Sequence, residues 1–330
     1  MVEDVSVVIP AYNAAAFLAE TLATVTAQSV SPAEIIVVDD GSTDDTAGIA
    51  RRAGARVVRT PNRGPPGARN AGIAAARGRW IALLDADDLW HPRKLALQLD
   101  ALALAPDVVA VSCDHYQFDD TGTLMPSALA ARRERYLSLR RQPLASGRVR
   151  IEGLGTDLMK VGMLFFPSTL LLRREAVAAV GGFDEALRWA EDLEFLLRLL
   201  AHGDLLFVEA PPLMGYRVHA GGVSRDHGAM SRGLIGVGDR LARDPARYAP
   251  GAAAAFAPRL REARRVAAAA ALRDGDPRLA RALLGSADRA QDRFWWQLKA
   301  ASLLPPALLA FVLTARRGLL GHDRPAARLP

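Results

Sequence analysis

The sequence predicts an α/β fold: a mostly parallel central sheet with helices on both faces, followed by a C-terminal helical extension. Three observations carry this. Short β-branched runs alternate with helical stretches through the first 113 residues, the pattern of parallel strands joined by crossover helices. Each early strand ends in a polar or acidic loop, so these loops gather on one sheet edge, where open α/β sheets take ligands. From about residue 228 the chain turns to Ala-, Leu- and Arg-rich helix. The expected division is therefore a domain over 1–228 and a helical extension over 229–330.

Val5-Ser6-Val7-Val8-Ile9-Pro10 reads as a buried strand stopped by proline. Residues 14–28 follow as a helix with Phe17, Leu18, Thr21, Leu22 and Val25 on one face. A second strand at 34–38 ends in Asp39-Asp40-Gly41. Ser42 with Asp45 predicts a capping box opening a helix to Arg52. Residues 57–59 make a third strand. Pro65 and Pro66 stiffen a loop before a helix over 67–77. Residues 80–84 form a fourth strand, running into Asp85-Ala86-Asp87-Asp88. Pro92 begins another helix, and 108–113 is a fifth strand. Residues 119–162 lose periodicity, which predicts a lid, a substrate loop or a solvated surface excursion. Residues 165–172 read as a strand, 173–180 as a short helix, and 189–202 as a helix with Leu193, Leu196, Leu197 and Leu200 in register. Strands follow at 205–208 and 216–219. Residues 259–272 and 278–288 read as an antiparallel helix pair around Gly275.

Composition excludes several classes. The single cysteine, Cys113, permits no intrachain disulfide and no cysteine-rich zinc site. It falls in an apolar run and reads as core, in keeping with a reducing cytoplasm. Met1-Val2-Glu3-Asp4 carries acids where an export signal needs a basic region. No apolar run reaches about eighteen residues, so no transmembrane helix is expected. The net charge of +6 is unevenly placed. Residues 1–110 hold ten Lys/Arg against thirteen Asp/Glu, whereas residues 231–330 hold eighteen against eight. The acidic first third suits a metal and the basic last third an acidic surface. Phe294-Trp295-Trp296, a short apolar segment and Arg316-Arg317 predict that residues 290–330 lie at an anionic membrane face. The alternative is a terminal helix packed on protein. Nucleic acid is not expected, because the basic tail lacks interleaved stacking aromatics.

Three carboxylates within four residues repel one another unless a cation sits among them. Asp87, with Asp85 beside it, therefore reads as a divalent-metal site shared with a phosphate-bearing ligand. The alternative is a surface turn whose acids cap the next helix. Glu191 and Asp192 lie in a first helical turn, where the dipole favours carboxylates whether or not they do chemistry. The first strand is not followed by G-x-G-x-x-G, which argues against an ordinary dinucleotide-binding domain.

Five motifs stand in order: Val5–Asn13, Val37-Val38-Asp39-Asp40-Gly41-Ser42-Thr43-Asp44, Gly67-Ala68-Arg69-Asn70-Ala71-Gly72, Leu84–Asp88, and Glu191-Asp192. Over about residues 4–225 the chain resembles a family 2 glycosyltransferase of the inverting, GT-A-fold type. The resemblance implies that Pro10 and Tyr12 line the nucleotide base, with Tyr12 against the ring, and that Asp40 accepts a hydrogen bond from it, as from a uracil or thymine imide. It implies Arg69 near the diphosphate, Asp85 on the ribose side, Asp87 on Mg2+ or Mn2+, and Asp192 as the base that activates the acceptor hydroxyl. Tyr216-Arg217-Val218-His219 is similar to a late family element in which His219 approaches the diphosphate or metal. The implied partners are a UDP- or dTDP-sugar donor and a glycan or lipid-linked acceptor in cell-surface polysaccharide synthesis, with the protein cytoplasmic or peripheral on the inner membrane face. A sugar nucleotidyltransferase would want a Gly-rich basic loop after the first strand. A degenerate homologue serving as a membrane-bound assembly partner predicts damaged acids. Here Pro10-Ala11-Tyr12-Asn13 occupies that loop and all the acids are present.

Overall fold

The computed structural model describes residues 3–145, 147–161, 164–221, 226–285 and 293–304. The N-terminal half alternates as expected: β1 (Glu3–Ala11), α1 (Leu18–Thr26), β2 (Pro32–Asp39), α2 (Thr46–Arg52), β3 (Arg56–Arg59), α3 (Gly64–Ala75) and β4 (Trp80–Leu83). There follow β5 (Leu89–Trp90), α4 (Lys94–Leu104), β6 (Ala110–Cys113), β7 (His115–Asp119), β8 (Gly122–Met125), α5 (Ala128–Ala131), α6 (Arg133–Leu137), β9 (Arg141–Ala145), β10 (Arg148–Ile151) and α7 (Leu154–Val161). The later part holds β11 (Leu171–Arg173), α8 (Arg174–Val180), α9 (Glu191–Leu199), β12 (Leu205–Val208), β13 (Met214–Arg217), α10 (His227–Arg243), α11 (Ala252–Arg273), α12 (Pro277–Leu284) and α13 (Arg293–Ser302).

Nine strands form one sheet in the order β3-β2-β1-β4-β11-β6-β12-β10-β9. β1 pairs in parallel with β2 and β4, and β2 with β3. β11 enters antiparallel between β4 and β6, while β12 lies parallel to β6. Val5, Val7, Val8 and Ile9 of β1 are wholly buried, as expected of a strand covered on both faces. Gly72 lets α3 approach closely, since a Cβ there would stand 2.3 Å from Val8 Cγ1. A second sheet, β5-β13-β7-β8, sets Met214 opposite Trp90 and Gly215 opposite Leu89. That pairing carries residues 217–219 to the loop after β4.

Four local expectations are corrected. Residues 119–162 are largely built into the fold: β8 closes a hairpin on β7, and β9 and β10 extend the main sheet. These short strands have mixed exposure, so no clean two-residue alternation marks them. Within 165–172, Pro167–Thr169 is a 3-10 turn and only Leu171–Arg173 is strand. Pro65 and Pro66 lie in the first turn of α3, where a missing N–H costs nothing. No capping box opens α2: Asp44 Oδ1 accepts the Thr46 N–H at 3.0 Å, and Asp45 pairs with Arg52.

The chain divides into two compact units, residues 1–223 with 237–256, and residues 224–236 with 257–330. In the second, Ala268, Ala271, Leu272, Ala280, Leu284 and Leu298 form a small core. The turn between α11 and α12 uses Gly275 at φ +78°, and Asp276 caps α12 by accepting the Leu279 N–H at 2.9 Å. The end of the expected helix pair, 286–288, and most of the expected membrane-facing segment lie outside the described residues. Among the described residues no helix is long and apolar enough to cross a membrane.

Candidate active site

The loop after β4 opens from a fully buried strand. Asp88 is its keystone. Its carboxylate accepts the Ser168 hydroxyl at 2.5 Å and the Arg217 N–H at 3.1 Å. Ser168 Oγ in turn accepts the Asp85 N–H at 3.0 Å, and Arg217 Nε donates to the Asp87 carbonyl at 2.9 Å. Burial, with Asp87 and Asp85 nearby, pushes the Asp88 carboxyl well up. The group is thus a buried anchor that fixes the backbone of both neighbouring acids.

Asp87 is held differently. Its Oδ2 lies 2.9 Å from His219 Nε2, and the imidazole rests against Phe17 with ring centroids 4.7 Å apart. Burial and the charge of Asp85 push Asp87 up, while His219 pulls it down. A partly buried carboxylate beside a second one, with an imidazole in reach, fits a divalent cation. No group of three metal-capable side chains occurs among the described residues. A cation held here would therefore draw most of its shell from phosphate oxygens and water.

Asp85 faces another partner. Arg69, 5% exposed, donates from Nη2 to Asp85 Oδ1 and from Nη1 to Glu191 Oε1, each at 2.8 Å. Its guanidinium also lies 5.4 Å from the Phe183 ring centroid. Burial works against its charge, but Asp85 and Glu191 more than offset this and raise its pKa. The residue expected near the diphosphate thus clamps the strand-end loop to the start of α9. Asn70, one residue on, accepts the Phe183 N–H at 2.8 Å and donates to its carbonyl at 2.9 Å.

α9 starts abruptly. Ala190 holds a left-handed conformation at φ 59°, uncommon for a residue with a Cβ, and Glu191-Asp192 follows at once. Burial and the charge of Asp192 raise Glu191 to about 7 against the pull of Arg69. Burial raises Asp192 too, again opposed by Arg69. Asp192 Oδ1 accepts the Leu193 N–H at 2.7 Å, and no side chain among the described residues is bonded to its other oxygen.

The Pro10–Tyr12 corner lies beside Asp40, whose N–H donates to the Ala11 carbonyl at 2.9 Å. Pro10 is half-buried, and Tyr12 is 52% exposed. Asp40 accepts from Thr60 Oγ1 at 2.5 Å, Arg63 N at 2.8 Å and Gly64 N at 2.7 Å. Three of a carboxylate's roughly four acceptor positions are thus used, two of them on the start of α3. The structure brings Arg69, Asp85 and Glu191-Asp192 together, and Asp87 with His219. Asp40, Pro10 and Tyr12 form a separate corner at the ends of β1 and β2. Sequence reading missed Ser168, Glu191 as the Arg69 partner, and Arg217 as an anchor. Arg217 had a signal in its place between Tyr216 and His219; Ser168 had none, since its partners lie 80 or more residues away.

These acids, at one strand end and at a helix start, stand on a mixed α/β sheet of the GT-A type. Residues 6–164 match the family described as glycosyl transferase family 2, and the family assignment rests on that segment. Among its relatives, the succinoglycan biosynthesis protein ExoO of Rhizobium meliloti is 34% identical over 68% of this chain and 63% of that protein. ExoU of the same organism is 35% identical over 61% and 58%. The chain therefore spans about three-fifths of these relatives. The fold matches S. aureus TarS 1-349 in complex with UDP-GlcNAc, with TM-score 0.58 and 17% identity over 96% of this chain and 86% of that one. It also matches the mannosyltransferase PcManGT of Pyrobaculum calidifontis in complex with GDP-Man and Mn2+, with TM-score 0.56 and 22% identity over 98% and 89%.

Proposed function

We propose that the chain transfers a glycosyl group from a nucleoside-diphosphate sugar to an acceptor hydroxyl, with inversion, in polysaccharide biosynthesis. The carrying observation is the clamp of Arg69 between Asp85 and Glu191, which ties the loop of the cation-suited acid, Asp87, to the helix start that carries Asp192, the acid of the α9 pair that no side chain among the described residues bonds. Relatives named for succinoglycan biosynthesis, and a further one named as a UDP-Glc:alpha-D-GlcNAc-diphosphoundecaprenol beta-1,3-glucosyltransferase, 39% identical over 29% of this chain, support a sugar-nucleotide donor and a lipid-diphosphate-linked acceptor.

Asp87 and His219 would hold Mg2+ or Mn2+, which when bound supplies positive charge to the departing diphosphate. Pro10 and Tyr12 take the base, and Asp40 uses its remaining acceptor position on it. Asp85 is oriented by Arg69 and Ser168 toward the ribose. Asp192 accepts the acceptor hydroxyl proton through Oδ2. As it does, the hydroxyl oxygen forms its bond to the anomeric carbon, and the bond to the diphosphate oxygen breaks with its electron pair leaving on the diphosphate. Its raised pKa makes Asp192 a stronger base than an ordinary aspartate. Glu191 is engaged by Arg69, so one base and no second nucleophile favours a single inverting displacement. Residues 290–330 are proposed to rest on an anionic membrane, on their composition alone.

The test is a panel of UDP-Glc, UDP-GlcNAc, dTDP-glucose and GDP-mannose with Mn2+ or Mg2+. One donor should stabilise the protein thermally only with the cation, and proton NMR of the product should show the inverted anomer. No stabilisation by any donor, or a retained anomer, overturns the reading.

A further inference from the structure

Away from these acids, the first unit holds a cavity of about 350 Å3. Its wall includes Asp184, Glu194, Arg240, Arg243, Arg247 and Tyr248. Glu194 is spent: both its oxygens bond Arg198, at 2.6 and 2.7 Å, and Oε1 also takes the Tyr248 hydroxyl at 2.7 Å. Asp184 is paired with Arg240, which holds its carboxyl low against the effect of burial. Arg247 bonds only the Val180 carbonyl, at 3.4 Å, and Arg243 has no partner among the described residues. Of the cavity's acids only the exposed Asp244 is left to oppose these two guanidinium groups. Arg240 and Arg243 could merely complement the negative end of α10, but Arg247 lies beyond that helix.

We infer that this cavity is a phosphoryl-binding subsite, with Arg243 and Arg247 as the ligating groups. Guanidinium forks suit phosphate oxygens, and a diphosphate has charge enough for both. The cavity lies along α9, because Glu194 sits three residues beyond Glu191, a rise of about 4.5 Å. It also borders the Val180–Asp184 turn, whose Phe183 packs on Arg69. A phosphorylated acceptor could rest its phosphate here, on the Glu194 side of α9, about 200° round the helix from Asp192, with the rest of the molecule reaching past the helix start to the transfer site. This deepens the glycosyl-transfer reading and rests on it.

The test titrates pyrophosphate by calorimetry in EDTA, where a cation-bridged diphosphate site is silent. The wild type and the R243E/R247E double variant are compared, and both side chains are exposed, so the variant should fold. The expected result is binding that weakens at least tenfold in the variant, with donor affinity in Mn2+ unchanged. Flotation on phosphatidylglycerol vesicles separates the sources. Loss of flotation in the variant, beside the weakened pyrophosphate binding, assigns the subsite to lipid headgroups; unchanged flotation assigns it to an acceptor-borne or free diphosphate. Equal pyrophosphate affinity in the two proteins, or none in the wild type, overturns the inference. Failure of the transfer reading would show separately, as a wild type that binds no donor.

Discussion

Two aspartates past strand ends, Asp40 after β2 and Asp87 after β4, look alike in sequence, each an acid just past an apolar run. Their surroundings set them apart. Asp40 has three donors within 2.8 Å, two of them backbone N–H groups at the start of α3. Asp87 has one side-chain partner, His219, and a second carboxylate close enough to raise its pKa. A carboxylate met by fixed dipoles holds structure. One that is partly buried and under-compensated is available for a cation. The same contrast recurs at α9, where Glu191 is tied to Arg69 and Asp192 has no side-chain partner among the described residues.

The comparison can be broken by substitution. The largest effect is expected at the under-compensated acids. Asp192→Asn should lower transfer by about 10²–10⁴-fold while calorimetry shows donor binding intact. Asp87→Asn should abolish cation-dependent turnover. Its thermal midpoint near neutral pH should hold or rise, because a native carboxyl with a raised pKa loses its stabilising contribution as pH climbs through that value. A lower midpoint would place Asp87 with Asp40.

Arg69→Met should cost roughly 3–5 kcal/mol in denaturant unfolding, since it strands Asp85 and Glu191 without their cation. Arg69→Lys should rescue little, because one ammonium cannot span both carboxylates as the fork does. Next comes Asp40→Ala, with a loss of about 1–3 kcal/mol from unpaired N–H groups at α3. Because Asp40 also takes the base in the proposed donor site, the variant should in addition show a raised donor KM when assayed well below its melting temperature.

The smallest effect concerns pH. Glu191 is raised to about 7 from an ordinary 4.5. The native state is therefore favoured by its protonation below about 4.5, and that contribution is lost as pH rises through 7. Activity runs the other way, because Asp192 must be ionised, so transfer should fall as the medium is acidified, with an acid limb above the ordinary aspartate range because burial raises Asp192. Glu191→Gln removes the neighbouring negative charge and should move that acid limb to lower pH. An unmoved limb would mean that the two acids titrate independently.

Much of the fold was readable because its signals are local. The buried β-branched strands, the alternating helices and the acids at strand ends each lie within about a dozen residues. Residues 119–162 were not readable, since their short strands have mixed exposure and leave no two-residue alternation. Of the site, the acids and His219 could be picked out by type and spacing, but Ser168 and the double engagement of Arg69 could not.

The sequence by itself determined which groups are present: a run of acids after a buried strand, an acid pair opening a helix, and an arginine ahead of both in chain order. Tertiary structure decided which carboxylates are spent and which are free. The pairing of β13 with β5 brings Arg217 and His219 to Asp88 and Asp87. The ion pairs of Arg69 join elements 122 residues apart. Compensation of a buried charge depends on what lies within a few ångströms of it in space, and spacing along the chain carries no record of that.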